Sequence, residues 1–122
     1  MVMTMYDIPH TVVETAPFLK RAAEIWTEDE RENFVDFIAS NRMAGEEIPG
    51  TGGLRKVRWS RAGMGKRGGT RVIFYYYNES APIYLLTVYA KSEKEDLSPQ
   101  EKTVFKKVAE AIKAQIKERQ ND

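Results

Sequence analysis

Seven cationic side chains lie between Leu54 and Arg71, in the stretch LRKVRWSRAGMGKRGGTR, and no acidic one does. They are Arg55, Lys56, Arg58, Arg61, Lys66, Arg67 and Arg71. The whole chain has a formal net charge of only +1, so this positive charge is local. Residues 1 to 53 are net acidic, and residues 72 to 122 carry as many acids as bases. A field of that sign suits a polyanion such as RNA, or an acidic protein segment. A strand over this stretch would put Lys56 and Arg58 on one face and Arg55, Val57 and Trp59 on the other. On the next strand, residues 71, 73, 75 and 77 would share a face.

The elements that must position these residues follow from local patterns. His10 to Glu14 is β-branched and suits a first strand. Thr15 is a predicted N-cap with Pro17 in the first turn, and Phe18, Leu19, Ala22, Ala23 and Trp26 share one helical face. Thr27 to Glu30 is a capping box that opens a second helix, with Phe34, Phe37 and Ile38 as its apolar side. Gly45 and the run Pro49 to Gly53 break that helix and lead into the Leu54 to Trp59 strand. Arg61 to Gly69 is expected to be a mobile connection. Arg71 to Tyr77 and Ile83 to Lys91 are near-continuous apolar strands. A final helix opens at Ser98 with Pro99 and Glu101, and Val104, Phe105, Val108, Ile112 and Ile116 make its apolar stripe. The expected class is α+β, in the order β-α-α-β-β-β-α, with a mostly antiparallel sheet and helices packed on one face.

Composition narrows the function. At 122 residues, 42% hydrophobic and 30% charged, the chain is expected to be one globular domain over 1–122, with residues 1–9 poorly ordered. It has no cysteine, which removes disulfides, thiol nucleophiles and thiolate metal sites. Neither a secretory signal nor a membrane span is visible, so a cytoplasmic protein is expected. Glu46-Glu47 and Glu93-Glu95-Asp96 fall in predicted loops without paired His or Cys, and no metal site or other cofactor is expected. Trp26 and Trp59 read as core, and His10 as structural or exposed.

Three blocks carry a family resemblance: Gly50 to Arg58 (GTGGLRKVR), Gly65 to Tyr76 (GKRGGTRVIFYY) and Tyr84 to Lys91 (YLLTVYAK). Together they resemble the HigB branch of the RelE toxins. The resemblance implies a toxin of a type II toxin–antitoxin module, which enters the ribosomal A site and cuts messenger RNA without a metal. It also implies a cognate antitoxin with a DNA-binding helix-turn-helix.

Such cleavage needs a base for the 2′-hydroxyl, cations for the charge gathering on the phosphate, and a proton for the leaving 5′-oxygen. His10 is the only histidine, so a mechanism with two histidines is excluded by count. Lysine can act as the base where neighbouring cations lower its pKa, and Lys56, Arg58, Arg71 and Lys91 would crowd in that way. By position the resemblance assigns catalysis to these four residues. RNA contact is expected from Arg61, Lys66 and Arg67, with base stacking by Tyr75, Tyr77 or Tyr89. The final helix offers no tyrosine or histidine of the kind some relatives use there. Two other readings use the same residues: a non-catalytic RNA- or ribosome-binding module that blocks translation sterically, and a degenerate relative that only binds antitoxin.

Overall fold

The structure is a computed structural model, and it describes residues 9–60 and 69–120. Arg61, Lys66, Arg67, most of the expected 61–69 connection and all but the last residue of the 1–9 segment lie outside the described residues. The elements are β1 (Val12–Glu14), α1 (Ala16–Ile25), α2 (Glu28–Ala39), β2 (Glu46–Glu47), β3 (Leu54–Trp59), β4 (Thr70–Tyr76), β5 (Ile83–Ala90) and α3 (Pro99–Gln120). The class is α+β, as expected. The strands form one sheet in the order β1-β5-β4-β3-β2, antiparallel except for the β1–β5 pair.

The predicted caps form. Thr15 Oγ1 accepts from the Phe18 N–H at 3.4 Å and donates to the Leu85 carbonyl at 2.7 Å, tying the start of α1 to β5. Thr27 Oγ1 accepts from the Glu30 N–H at 3.2 Å, and Glu28, Asp29 and Glu30 fill the first turn of α2, where the helix dipole favours negative charge. At α3 the capping box is reciprocal. Glu101 N–H donates to Ser98 Oγ at 3.1 Å, and Ser98 N–H donates to Glu101 Oε1 at 2.9 Å.

The helices divide between both faces of the sheet, which corrects the expectation of one covered face. Alternate residues of β4 enter two separate clusters. Val72 and Phe74 join Phe18 and Ala22 of α1, Trp26 at its C-cap, and Phe34 and Ile38 of α2. Ile73 and Tyr75 join Ala109, Phe105 and Ile112 of α3, with Leu97 before it. An unbroken apolar strand is what burial on two faces requires. Each fully buried Phe or Ile here contributes on the order of 1.5–3 kcal/mol. The apolar stripe of α3 is also shifted. Phe105, Ala109, Ile112 and Ile116 are its buried and half-buried positions, whereas Val104 and Val108 are 56% and 37% exposed. A helix meeting the sheet along one narrow line can bury only one such row.

Two local features set the shape of the sheet around β3 and β5. Opposite Ile73 and Phe74 the ladder slips, leaving Leu86 as the extra residue of β5. This bulge reverses the facing of β5 beyond it, so Tyr89 lies on the α3 side, directly across from Arg71. The second is β2, too short to be visible in the sequence, whose two glutamates pair with β3 as Glu46 with Lys56 and Glu47 with Arg55. Gly45 precedes it with φ +74°, and a Cβ there would stand 2.1 Å from the Lys56 carbonyl oxygen. Gly45→Ala is expected to lower stability by at least about 2 kcal/mol, read in chemical denaturation, because both the φ and the approach to β3 need a bare backbone.

Carboxylates around the start of α3 set the response to acid. Glu101 is held below its ordinary value of 4.5, first by a hydrogen bond from Lys94 and then by the Ser98 N–H. Glu93 is lowered chiefly by the Ala90 N–H, and Asp96 chiefly by Lys56. A lowered folded-state pKa gives stability that is present above the unfolded value and lost as pH falls through the folded one. Thermal unfolding should therefore be flat near neutrality and weaken below about pH 4.5. Glu101→Gln keeps a group able to complete the capping box but loses the charge facing Lys94; because that pair is partly solvent-screened, the cost at pH 7 should be at most about 1 kcal/mol, and the acid loss should shrink.

Candidate active site

Strands β3 and β4 pair so that Arg58 stands directly opposite Arg71. Residues paired in this way have Cβ atoms roughly 5 Å apart, and like charges so placed repel. Arg71 is only 4% exposed. Its guanidinium donates to the Thr70 carbonyl at 3.3 Å, and among the described residues no carboxylate reaches salt-bridge distance of Arg58 or Arg71. A buried cation without a counter-ion is costly, and Arg71 in that state with the exposed Arg58 opposite it makes an anion site in waiting.

The two arginines line a cleft of about 450 Å³ together with Gly45, Glu46, Lys56, Glu95 and Asp96. Strand parity brings Lys56 and Arg58 to one face as expected, and Arg71 joins them from β4. Lys56 is two residues from Arg58 on β3, and its Nζ donates to Asp96 Oδ1 at 2.6 Å. The crowding of cations expected around Lys56 is thus offset by a carboxylate within hydrogen-bond distance. That hydrogen bond is the largest cause of the lowered Asp96 pKa, with the charges of Lys56, Lys102 and Arg71 acting in the same direction. The cleft therefore holds three cations and three carboxylates. Its acids come from β2 and from the loop between β5 and α3. In the sequence both segments read only as loops without a metal partner. The signal that could have found them is Glu46 on a short strand after Gly45, and Asp96 just before a capping box.

The other candidates fall elsewhere. Arg55 turns to the opposite face and donates to the carbonyls of Met43 at 2.9 Å and Gly45 at 3.1 Å, so it holds the loop before β2. Lys91 lies past the end of β5; its backbone N–H donates to Gly69 at 3.0 Å, and its exposed side chain does not line the cleft. Tyr75 and Tyr89 are 2% and 1% exposed within the α3-side cluster, so neither presents a ring face to a base, contrary to expectation. Both are held by the need of β4 and β5 to fill the space beneath α3. Tyr77 is half-buried with the Lys113 ammonium 5.5 Å from its ring centre, and six residues of strand, roughly 20 Å, separate it from Arg71.

Tyr89 has a different place in the site. Its hydroxyl is buried, has no hydrogen-bond partner among the described residues, and sits across the ladder from Arg71. Burial, and then the charge of Asp96, push its pKa up to about 12, so near neutral pH it is a protonated phenol, able to donate or accept a hydrogen bond but not to act as a phenolate. His10 is far from this chemistry: its ring packs edge-on against Tyr76 at 5.5 Å. Among the described residues no group of three or more His, Cys, Asp or Glu could hold a metal ion, and no helix is long and apolar enough to cross a membrane.

Known proteins share this architecture. The fold is similar to that of the free state of an E. coli RelE toxin mutant with two arginines replaced by alanine. The TM-score is 0.51, the identity is 15%, and the match covers 71% of this chain and 88% of that one. Residues 18–121 match the family described as the RelE toxin of the RelE/RelB toxin–antitoxin system. Reaching from the first turn of α1 through α3 and taking in every residue of the cleft, that match shows that the chain belongs to the RelE toxin family.

Proposed function

We propose that this family member is a ribosome-dependent endoribonuclease that cuts messenger RNA without a metal and is neutralised in the cytoplasm by a cognate helix-turn-helix antitoxin. The GTGGLRK and GKRGG blocks favour the HigB-like branch. The observation that carries the reading is the buried Arg71 facing Arg58 with no carboxylate on either among the described residues. Guanidinium groups bind phosphate through paired N–H donors, and an RNA backbone supplies the missing anion.

In this reading the 2′-oxygen attacks the adjacent phosphorus, a 2′,3′-cyclic phosphate forms, and the 5′-oxygen leaves and takes a proton. Arg58 and Arg71 hold the oxygens on which negative charge gathers. One of the two cleft carboxylates outside any ion pair among the described residues, Glu46 or Glu95, accepts the 2′-proton, and the Lys56 ammonium supports the phosphate and gives a proton to the leaving 5′-oxygen. Lys91 contacts the RNA backbone from outside the cleft lining, Arg61, Lys66 and Arg67 add further contacts to RNA, and Tyr77 remains for stacking.

A non-catalytic module that blocks translation sterically is the second reading, favoured by the even balance of charge in the cleft. The test is induced expression in growing bacteria with mapping of transcript ends. Breaks inside translated codons with 5′-hydroxyl ends are expected, reduced about 10²- to 10³-fold in Arg58→Ala and Arg71→Ala. Arg58 is exposed, so its variant reports chemistry without a folding defect. Lys56→Ala that still cosediments with ribosomes but no longer cuts supports catalysis, and loss of both together supports plain binding. Intact transcripts with undiminished growth would sink the endoribonuclease reading.

A further inference from the structure

We propose that Asp96 is a built-in stand-in for the RNA phosphate: in the free protein its carboxylate occupies the position on Lys56 that a backbone phosphate takes, and RNA binds by exchanging with it. This rests on the reading of the cleft as a phosphate site. Asp96 Oδ1 lies 2.6 Å from Lys56 Nζ, the distance of a charge-assisted hydrogen bond. The two partners differ in freedom. The Lys56 side chain is 25% exposed and rises from the middle of β3, whereas the Asp96 side chain is 55% exposed on a loop. Lys56 is the fixed partner and Asp96 the one that can leave.

The loop is nonetheless anchored where it matters. Leu97 is 4% exposed in the α3-side cluster, and Ser98 and Glu101 cap the helix next in the chain. The Asp96 backbone is thereby held at the cleft while its carboxylate can rotate into water. The charge of Arg71 also acts on Asp96, which puts both cations, Lys56 and Arg71, within its field. An ion pair open to water on its Asp96 side is weak, so a phosphate that also engages Arg58 and Arg71 can displace it. The exchange makes the cleft a poor binder of isolated anions. It favours a strand that presents several phosphates together, so Asp96 is a specificity-determining residue.

The experiment measures binding of a short 2′-O-methyl RNA, which cannot be cleaved, by fluorescence anisotropy across a salt series. Asp96→Asn, nearly the same shape, should bind about fivefold more tightly. Its salt dependence should steepen by roughly 0.7 in log–log slope, because one further cation meets phosphate. In a Lys56→Ala background, Asp96→Asn should give no gain. Unchanged or weaker binding by Asp96→Asn, or a gain that survives Lys56→Ala, overturns the exchange. Should Asp96→Asn melt early, Asp96→Ser takes its place. If the expected binding pattern is found while transcripts in cells stay intact, the exchange stands and the endoribonuclease reading falls. Inorganic pyrophosphate, read by thermal shift on the same four proteins, covers the case of no RNA binding; the same order of variants supports the exchange, and no shift in any of them overturns it.

Discussion

The pairing of Arg58 with Arg71 is the constraint around which the cleft is built. Two guanidiniums facing each other across an antiparallel ladder repel, and one of them is almost wholly removed from water. The sheet tolerates this because the rest of the fold over-determines the register. Val57 pairs with Val72 next to the arginines, Leu54 with Tyr75 at the far end, and both strands are packed on two sides. Stability supplied by two apolar clusters holds charged groups in an arrangement they would not choose in isolation. Such local strain at a site is the usual cost of preorganisation.

Three carboxylates reach the cleft by two routes, and each route depends on a turn or cap. Glu46 comes with β2, whose approach to β3 depends on the bare backbone of Gly45. Glu95 and Asp96 come with the loop that ends in buried Leu97 and the reciprocal Ser98–Glu101 cap. Beneath them the β5 bulge turns Tyr89 toward the same side as Arg71. The phenol that results is buried, protonated and without a partner among the described residues, an uncommon state for a hydroxyl and one that concentrates unmet polarity under the cationic pair.

The basic stretch divides its labour accordingly. Arg55 holds the preceding loop through backbone carbonyls, Lys56 is held by Asp96, and Arg58 with Arg71 remains open to an anion. Seven neighbouring cations in a sequence are thus not seven equivalent ligands for a polyanion. The site they build is electrostatically loaded yet balanced in number, with three cations facing three carboxylates.

Much of this was legible in the chain alone. Helix starts at Thr15, Thr27 and Ser98, the change from helical to alternating period near Leu54, and the shared facing of Lys56 and Arg58 all depend on spacings of a few residues, which local sequence determines. The covering of both sheet faces, the bulge that buries Tyr89 opposite Arg71, and the arrival of Glu46, Glu95 and Asp96 beside Lys56 were decided only by the tertiary structure. A bulge reverses strand parity without leaving a mark in composition, and charges about 40 residues apart, such as Lys56 and Asp96, meet only when the sheet and α3 have packed. The sequence determined a concentration of positive charge; the fold decided that it would be met by carboxylates, because electrostatic balance is set by distance in space and not along the chain.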